Sequence, residues 1–483
     1  MHEIAFLPLI KATWETIYMV FIASFISILV GLMLGAFLYL TAKKQTLENT
    51  FIHRLLGTIV NVTRSVPFII LMISIIPLTR FLVGTTIGTN AAIVPLTLAA
   101  IPFFARVAEN ALAQVPYGLI EAAHAMGAST WQTVTKVLIP ESLPALIRGA
   151  TLTVIGLIGY SAMAGVVGGG GLGELAINYG YQQFNIAVML ETVIILIALV
   201  QLIQMLGDTL AKRRRVKALF YASVLLWAAC FTYEFWPSAA SHTNTLRIGI
   251  MSGSPEKIMA VAQQVAQKEY GLHLQIVTFS DYVQPNTALN NGSIDANIFQ
   301  HGPYLEAQIK AHHYPLTAIA KTFVYPMGFY SQTITHLSQL KEGAVIAIPN
   351  DPSNGGRALL ILQKAGLIKL KAGSGTLATV RDITDNPRHL QFKVMDAAQL
   401  PRVLKDADLV AITNDFVGPA GLSIGQAVLK EGSDSPYANL IVVRDQDKTK
   451  PLIQTLVTVM HSKAVLHETE KVFPDGAAIP AWK

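Results

Sequence analysis

The stretch LysArgArgArgValLysAlaLeuPheTyrAlaSerValLeuLeuTrpAlaAlaCys, residues 212–230, decides how the chain divides. A basic knot (Lys212, Arg213, Arg214, Arg215 and Lys217) opens it, an apolar run ends at Cys230, and PheTrpPro at 235–237 leads out. Upstream, long apolar segments alternate with short loops; downstream, short apolar runs alternate with amphipathic ones. The expected fold is an all-α polytopic membrane domain of five spans, a sixth linking span, and a two-lobed α/β domain. The corresponding boundaries are 1–211, 212–244 and 245–483.

Composition supports this division. A length of 483 residues has room for about three domains by size alone, but hydropathy divides the chain in two. A mean hydropathy of +0.46 with 14% charged residues is too apolar for a soluble protein of this size, and the excess lies in the first half. The net charge of +6 comes largely from Lys and Arg in short loops, a topogenic pattern that excludes nucleic acid as the partner. The single cysteine, Cys230, rules out an internal disulfide and any CxxC metal or redox site. No cofactor is implied. No cleavable signal peptide pattern leads the chain, where Glu3 and Pro8 precede the first apolar run.

Spans of about 20 apolar residues are expected near 17–40, 57–78, 91–111, 145–167 and 184–206. Lys43, Lys44 and Arg54 follow the first, Arg106, Lys136 and Arg148 flank the third loop, and the basic knot follows the fifth. The positive-inside rule then places the N-terminus outside, the knot in the cytoplasm and everything after Trp236 outside. Arg64 and Glu191 lie close enough to an interface to snorkel.

The third loop, 121–140, is long and patterned. Glu121, Ala122, Ala123, Gly127 and ValLeuIlePro ending at Pro140 require a short helix, a sharp glycine bend and a second helix on the membrane face. Small residues there let a partner's groove seat closely. This loop resembles the EAA loop of ABC importer permeases. ThrArgSerValProPheIleIleLeu (63–71), AlaAlaIleValProLeuThr (91–97) and GlyTyrSerAlaMetAlaGlyValValGlyGlyGlyGlyLeuGly (159–173) make residues 1–211 similar to the methionine ABC transporter permease family. The resemblance implies a permease homodimer in membrane lipid and a separate ABC ATPase subunit, in two copies, at the loop. Gly168 to Gly173 are read as close backbone packing rather than a phosphate loop. No Walker A motif occurs anywhere in the chain, so ATP must be split by another polypeptide and the chain is no enzyme.

Downstream, LeuArgIleGlyIleMet (246–251) and LeuGlnIleValThrPhe (274–279) read as strands around an amphipathic helix at 256–266, and AlaValIleAlaIlePro (344–349) begins a second such unit. Two α/β lobes with a ligand between them follow from that order. No nucleophile elbow, dinucleotide fingerprint or metal spacing is present to favour an enzyme. AspTyrValGlnProAsn (281–286), AspAlaAsnIlePheGlnHisGlyProTyrLeu (295–305), ThrPheValTyrProMet (322–327), IleProAsnAspProSerAsnGlyGlyArgAlaLeu (348–359) and SerProTyrAlaAsnLeuIle (435–441) resemble the NlpA family of methionine-binding lipoproteins. That resemblance implies a periplasmic-binding-protein fold for L- or D-methionine. It implies that Arg357 holds the carboxylate and that Asn414 and Asn439 bind the head group. Tyr282, Phe299, His301, Tyr304 and Tyr325 would wall the side-chain pocket, where aromatic rings suit a thioether.

The function expected is thus a fused permease and substrate-binding subunit of an ATP-driven methionine importer in the bacterial inner membrane, with the binding domain outside. The same architecture carrying a methionine-containing dipeptide or another apolar amino acid, and a ligand-gated channel or sensor, remain alternatives. The 212–230 stretch itself has two readings. The knot, the run from Ala218 to Ala229 and AlaAlaCys have the layout of a lipoprotein signal with lipidation at Cys230, whereas Trp227 and the apolar residues beyond Cys230 favour an uncut sixth span.

Overall fold

The computed structural model describes residues 6–212, 244–432, 435–474 and 477–482. The expected sixth span, most of the basic knot and Cys230 lie outside the described residues. Two compact units are present, one carrying the membrane helices and one the sheets.

Four membrane helices are long and apolar enough to cross a bilayer, and a fifth span results if one bent helix pair is counted, among the described residues. The first, α1 (Phe6–Thr41), starts eleven residues before the expected span and exceeds what a bilayer requires. The second expected span is not a single helix. It is α2 (Thr50–Ser65) and α3 (Phe68–Ser74), bent by 103°, followed by α4 (Ile76–Val83). The cause is Pro67, which lacks an N–H and forces Val66 into extended backbone at φ −78°, ψ 124°. Arg64, on the last turn of α2, is exposed and stands 5.7 Å from the Phe103 ring centroid; Glu191 is exposed as well. The third span, α5 (Thr89–Ala113), matches expectation closely. Met19 of α1, Phe68 of α3 and Leu96 of α5 share one buried cluster.

After α5 comes α6 (Tyr117–Ala125), which ends at Gly127 with φ +79°, a left-handed residue that closes the helix through the Ala128 N–H bond to the Ala123 carbonyl. Ser129 and Gln132 then form a capping box at the start of α7 (Thr130–Thr133). The loop does not close at Pro140 as expected. A π-turn at Val134–Leu138 carries the chain directly into α8 (Ile139–Ala164), so that Thr130–Ala164 runs as one 35-residue helix. Pro140 has no N–H to give and its ring crowds the preceding turn, while the Ile139 N–H reaches back five residues to the Val134 carbonyl; the wider turn removes the conflict.

The glycine run packs tightly. A Cβ on Gly173, in α9 (Gly171–Leu175), would lie 2.4 Å from the Ala162 carbonyl oxygen. Its amides are already satisfied, because the Gly171 N–H donates to Glu15 Oε2 at 2.9 Å and the Leu172 N–H to Thr16 Oγ1 at 2.9 Å. The last membrane helix among the described residues is α10 (Ile186–Lys212).

The α/β unit has two lobes. In the first, a six-stranded sheet runs in the order β13-β4-β12-β3-β1-β2. Its strands are β1 (Thr245–Met251), β2 (His273–Phe279), β3 (Ala296–Asn297), β4 (Leu316–Val324), β12 (Ala438–Arg444) and β13 (Ile479–Pro480). β1 pairs in parallel with β2 and β3, and β12 runs antiparallel between β3 and β4. The second lobe orders β11-β5-β10-β6-β9. These are β5 (Gly328–Tyr330), β6 (Val345–Pro349), β9 (Gln391–Met395), β10 (Leu409–Ile412) and β11 (Leu429–Lys430), while β7 (Lys369–Leu370) and β8 (Ile383–Asp385) pair as a separate two-stranded sheet. Each lobe buries its own apolar core, Ile248, Leu274 and Ile441 in one and Ile346, Leu362 and Leu409 in the other. The chain crosses between lobes twice, after β4 and after β11.

Candidate substrate-binding site

Parallel strands end where the lobes meet, and open α/β sheets place ligands beyond the carboxyl ends of such strands. From the first lobe come Tyr282 in the turn after β2, and Phe299, Gln300 and His301 after β3. Tyr304 stands in the first turn of the helix Gly302–His312, and Asn439 lies on β12. The second lobe supplies Asn354 and Arg357 from the helix Pro352–Lys364, and Thr413, Asn414 and Asp415 after β10. Tyr325 lies in the first crossover. These twelve residues line one cavity, which brings together all eight residues expected from the sequence.

One wall is aromatic. The Tyr282, Phe299 and Tyr304 rings meet with centroids 5.8–6.1 Å apart, and Phe416 approaches Tyr282 at 5.6 Å. The Tyr304 hydroxyl donates to the Tyr282 carbonyl at 2.7 Å, and the Tyr282 hydroxyl donates to Asp415 Oδ2 at 2.9 Å. Both phenols are therefore anchored, and burial pushes their pKa values up, so they remain neutral.

His301 is a wall residue with both ring nitrogens engaged. Nδ1 accepts from the Tyr304 N–H at 3.3 Å, capping the helix Gly302–His312, which leaves Nε2–H to donate to Asn354 Oδ1 at 3.1 Å. Burial, reinforced by the nearby Arg357 charge, lowers its pKa to about 3, so the ring is neutral. Asn354 passes the order on, its amide donating to both oxygens of Asp351 at 3.1 Å. Burial raises the Asp351 carboxyl above its usual range.

Arg357 differs from expectation in its environment. Its guanidinium is not an open fork: Nε reaches both oxygens of Glu431 at 3.1 and 3.2 Å, and one Nη also bonds Glu431. The same Nη donates to the Tyr325 carbonyl at 2.9 Å, and the guanidinium carbon lies 4.3 Å from the Tyr437 ring centroid. Arg357 is thereby tied to both crossover segments, with only Nη1 making no hydrogen bond among the described residues. Asn414 is 8% exposed and its Nδ2 has no partner among the described residues, which leaves a buried donor aimed at the cavity lining. Asn439 Nδ2 donates weakly to the Phe299 carbonyl at 3.3 Å.

Sequence reading missed Gln300, Asn354, Thr413 and Asp415 in the lining, and Glu431 and Tyr437 behind Arg357. Gln300 belongs to a fully buried amide network: its Nε2 donates to Asn286 Oδ1 at 2.6 Å and Asn297 Oδ1 at 2.9 Å, and Asn286 Nδ2 returns a bond to Gln300 Oε1 at 2.8 Å. Such a network fixes the strand end that presents Phe299 and His301. Its sequence trace was the run of amides at Asn286, Asn297 and Gln300 among apolar neighbours.

Comparison with known proteins agrees with this division. The profile of binding-protein-dependent transport system inner membrane components matches residues 27–216, and that of NlpA lipoproteins matches 246–482. The probable D-methionine transport system permease protein MetI of Vibrio cholerae is 54% identical over 205 residues, 42% of this chain and 91% of its own. The D-methionine-binding lipoprotein MetQ of Salmonella typhimurium is 46% identical over 242 residues, 50% of this chain and 89% of its own. A crystal structure of the methionine-binding protein MetQ, 44% identical, covers 50% of this chain and 99% of that one, with a TM-score of 0.49. The chain is thus a multi-pass inner-membrane protein that belongs, in its N-terminal part, to the binding-protein-dependent transport permeases and, in its C-terminal part, to the NlpA lipoprotein family.

Proposed function

We propose that this chain is the permease and substrate-recognition subunit of an ATP-driven methionine importer, joined in one polypeptide. The observation that carries this reading is that two transport components, each matched over about nine-tenths of a relative's length, lie in tandem here. The cavity supports it chemically. Three stacked or edge-on rings provide an apolar wall for a thioether, and Arg357 Nη1 with Asn414 Nδ2 provides donors for a carboxylate. Asn439 joins them at the head group. In this reading a separate ABC ATPase, in two copies, docks on α6 and α7 of a permease homodimer embedded in lipid. Ala122 and Gly127 are exposed for that contact, along with Glu121 and Pro140. Ala123 is not, since it is 2% exposed and turned, with Ile120 one helical turn earlier, into the membrane unit. In this reading the binding domain lies on the periplasmic side, which the distribution of basic residues among the loops supports.

Calorimetric titration of the detergent-solubilised full chain with L- and D-methionine tests the cargo. Micromolar or tighter binding of one enantiomer is expected, and its absence for both defeats the assignment. Methionine-dependent stimulation of an added ABC ATPase tests the importer itself and distinguishes it from a ligand-gated channel.

A further inference from the structure

The charges around the cavity do not cancel. Arg357 is matched by Glu431, and His301 is neutral. Asp351 stands behind the lining with both oxygens held by the Asn354 amide, which leaves Asp415 as the one carboxylate in the lining, with one oxygen receiving the Tyr282 hydroxyl and the other receiving no hydrogen bond among the described residues. No basic side chain lies within ion-pair distance of it among the described residues. Thr413 and Tyr282 hold the site rather than neutralise it, because the Tyr282 hydroxyl bridges Thr413 Oγ1 at 3.0 Å and Asp415 Oδ2 at 2.9 Å. A half-buried carboxylate of this kind needs a cation, and none stands beside it among the described residues. The unpartnered Asn414 Nδ2 on the adjacent residue is a donor and so suits an anionic or carbonyl group, which separates the two ends of the ligand head.

We propose that Asp415 is the counter-charge for a primary ammonium on the ligand, so that the cavity selects free amino acids over N-acylated amino acids and over acids that lack the amine. This deepens the amino-acid-binding reading above and rests on it. Asp415 thereby becomes a specificity-determining residue, while the carboxylate end of the ligand lies with Arg357 and Asn414. A formylated or peptide-bonded nitrogen would present a neutral amide to a carboxylate and leave that charge uncompensated in the closed cleft.

The test is equilibrium binding to the full chain in detergent, for wild type and Asp415→Asn, with methionine, N-acetylmethionine and 4-(methylthio)butanoic acid. Truncating one side of a desolvated charge pair costs enough to weaken binding by about 30-fold or more. Wild type should therefore prefer methionine over both compounds that lack a free amine by about that factor. Asp415→Asn should lose about 30-fold for methionine while the amine-free acid binds within about twofold of its wild-type affinity, which also reports an intact cavity. Unchanged methionine affinity in the variant, or an equal loss for methionine and the amine-free acid, overturns the proposal. If wild type ignores methionine but takes another free amino acid, the methionine assignment falls, and the same comparison with that acid's N-acetyl form still decides the role of Asp415. If no free amino acid binds, both fall together.

Discussion

Arg357 and Glu431 form an ion pair with side chains only 5% and 11% exposed, so neither can be removed without stranding the other. Arg357→Ala should abolish methionine binding and lower the binding domain's stability by about 3–5 kcal/mol. Titration and calorimetric unfolding of the same sample check both, and retained affinity would remove Arg357 from the site. Two neighbouring groups set a pH signature. With His301 held at about 3, the unfolded chain carries a proton that the folded domain lacks from there up to about pH 6.5, so this group makes stability rise with pH. Burial raises Asp415 to about 6, so between about pH 4 and 6 the folded domain holds a proton that the unfolded chain lacks, and this group makes stability fall with pH. The slopes oppose each other between about pH 4 and 6, each approaching 1.4 kcal/mol per pH unit. His301→Gln should therefore unmask a domain that weakens as pH rises through that window, and Asp415→Asn one that weakens as pH falls; melting curves at pH 4, 5 and 6 compare them. Tyr282, His301 and Arg357 were legible because each stands in a run of distinctive neighbours. Asp415 and Glu431 were not, since a lone carboxylate in sequence reads as solvated and only the fold reveals what surrounds it.

Among the elements, the membrane spans were legible as hydropathy and illegible as geometry. Residues 57–78 are apolar on average despite Asn61 and Arg64, and hydropathy cannot weigh the missing N–H of Pro67, so the pattern predicts a straight span where the chain bends by 103°. Pro140 does the converse: its sequence context predicts a stop, yet the π-turn before it lets the helix continue. In the α/β unit the alternation of strand and helix patterns sufficed for two lobes, but strands of two residues such as β3 carry no period to detect. The loop offers a specific test. Pro140→Ala restores an N–H and allows Val134–Leu138 to tighten to α-helical register, turning α7 by about 100° relative to α8. The permease should assemble normally while methionine-dependent stimulation of the ATPase falls severalfold. Gly173→Ala, by contrast, forces a methyl group to within 2.4 Å of a backbone oxygen and should prevent assembly, read as loss of the monodisperse peak in detergent chromatography.

For the whole molecule, joining recognition and permeation on one chain replaces diffusion of a free binding protein with an effective concentration of about millimolar for a short linker. Uptake by proteoliposomes containing the full chain and its ATPase should be unaffected by added free binding domain at micromolar levels. A version severed in the seam should fall well below it under the same supplement; equal uptake would deny the tether any role. Whether the seam is itself cut is answered by an immunoblot of membranes, where a band of free-domain size that disappears in Cys230→Ala marks processing. The unbroken helix Thr130–Ala164 bears on how force travels through such a machine. At 1.5 Å per residue it is about 52 Å long, so a tilt of about 6° at its loop end displaces the far end by about 5 Å. In the proposed importer the handle and the shaft of this crank are one piece, and the stroke of the docked ATPase would be geared to the gate by leverage, with no slack to take up between them.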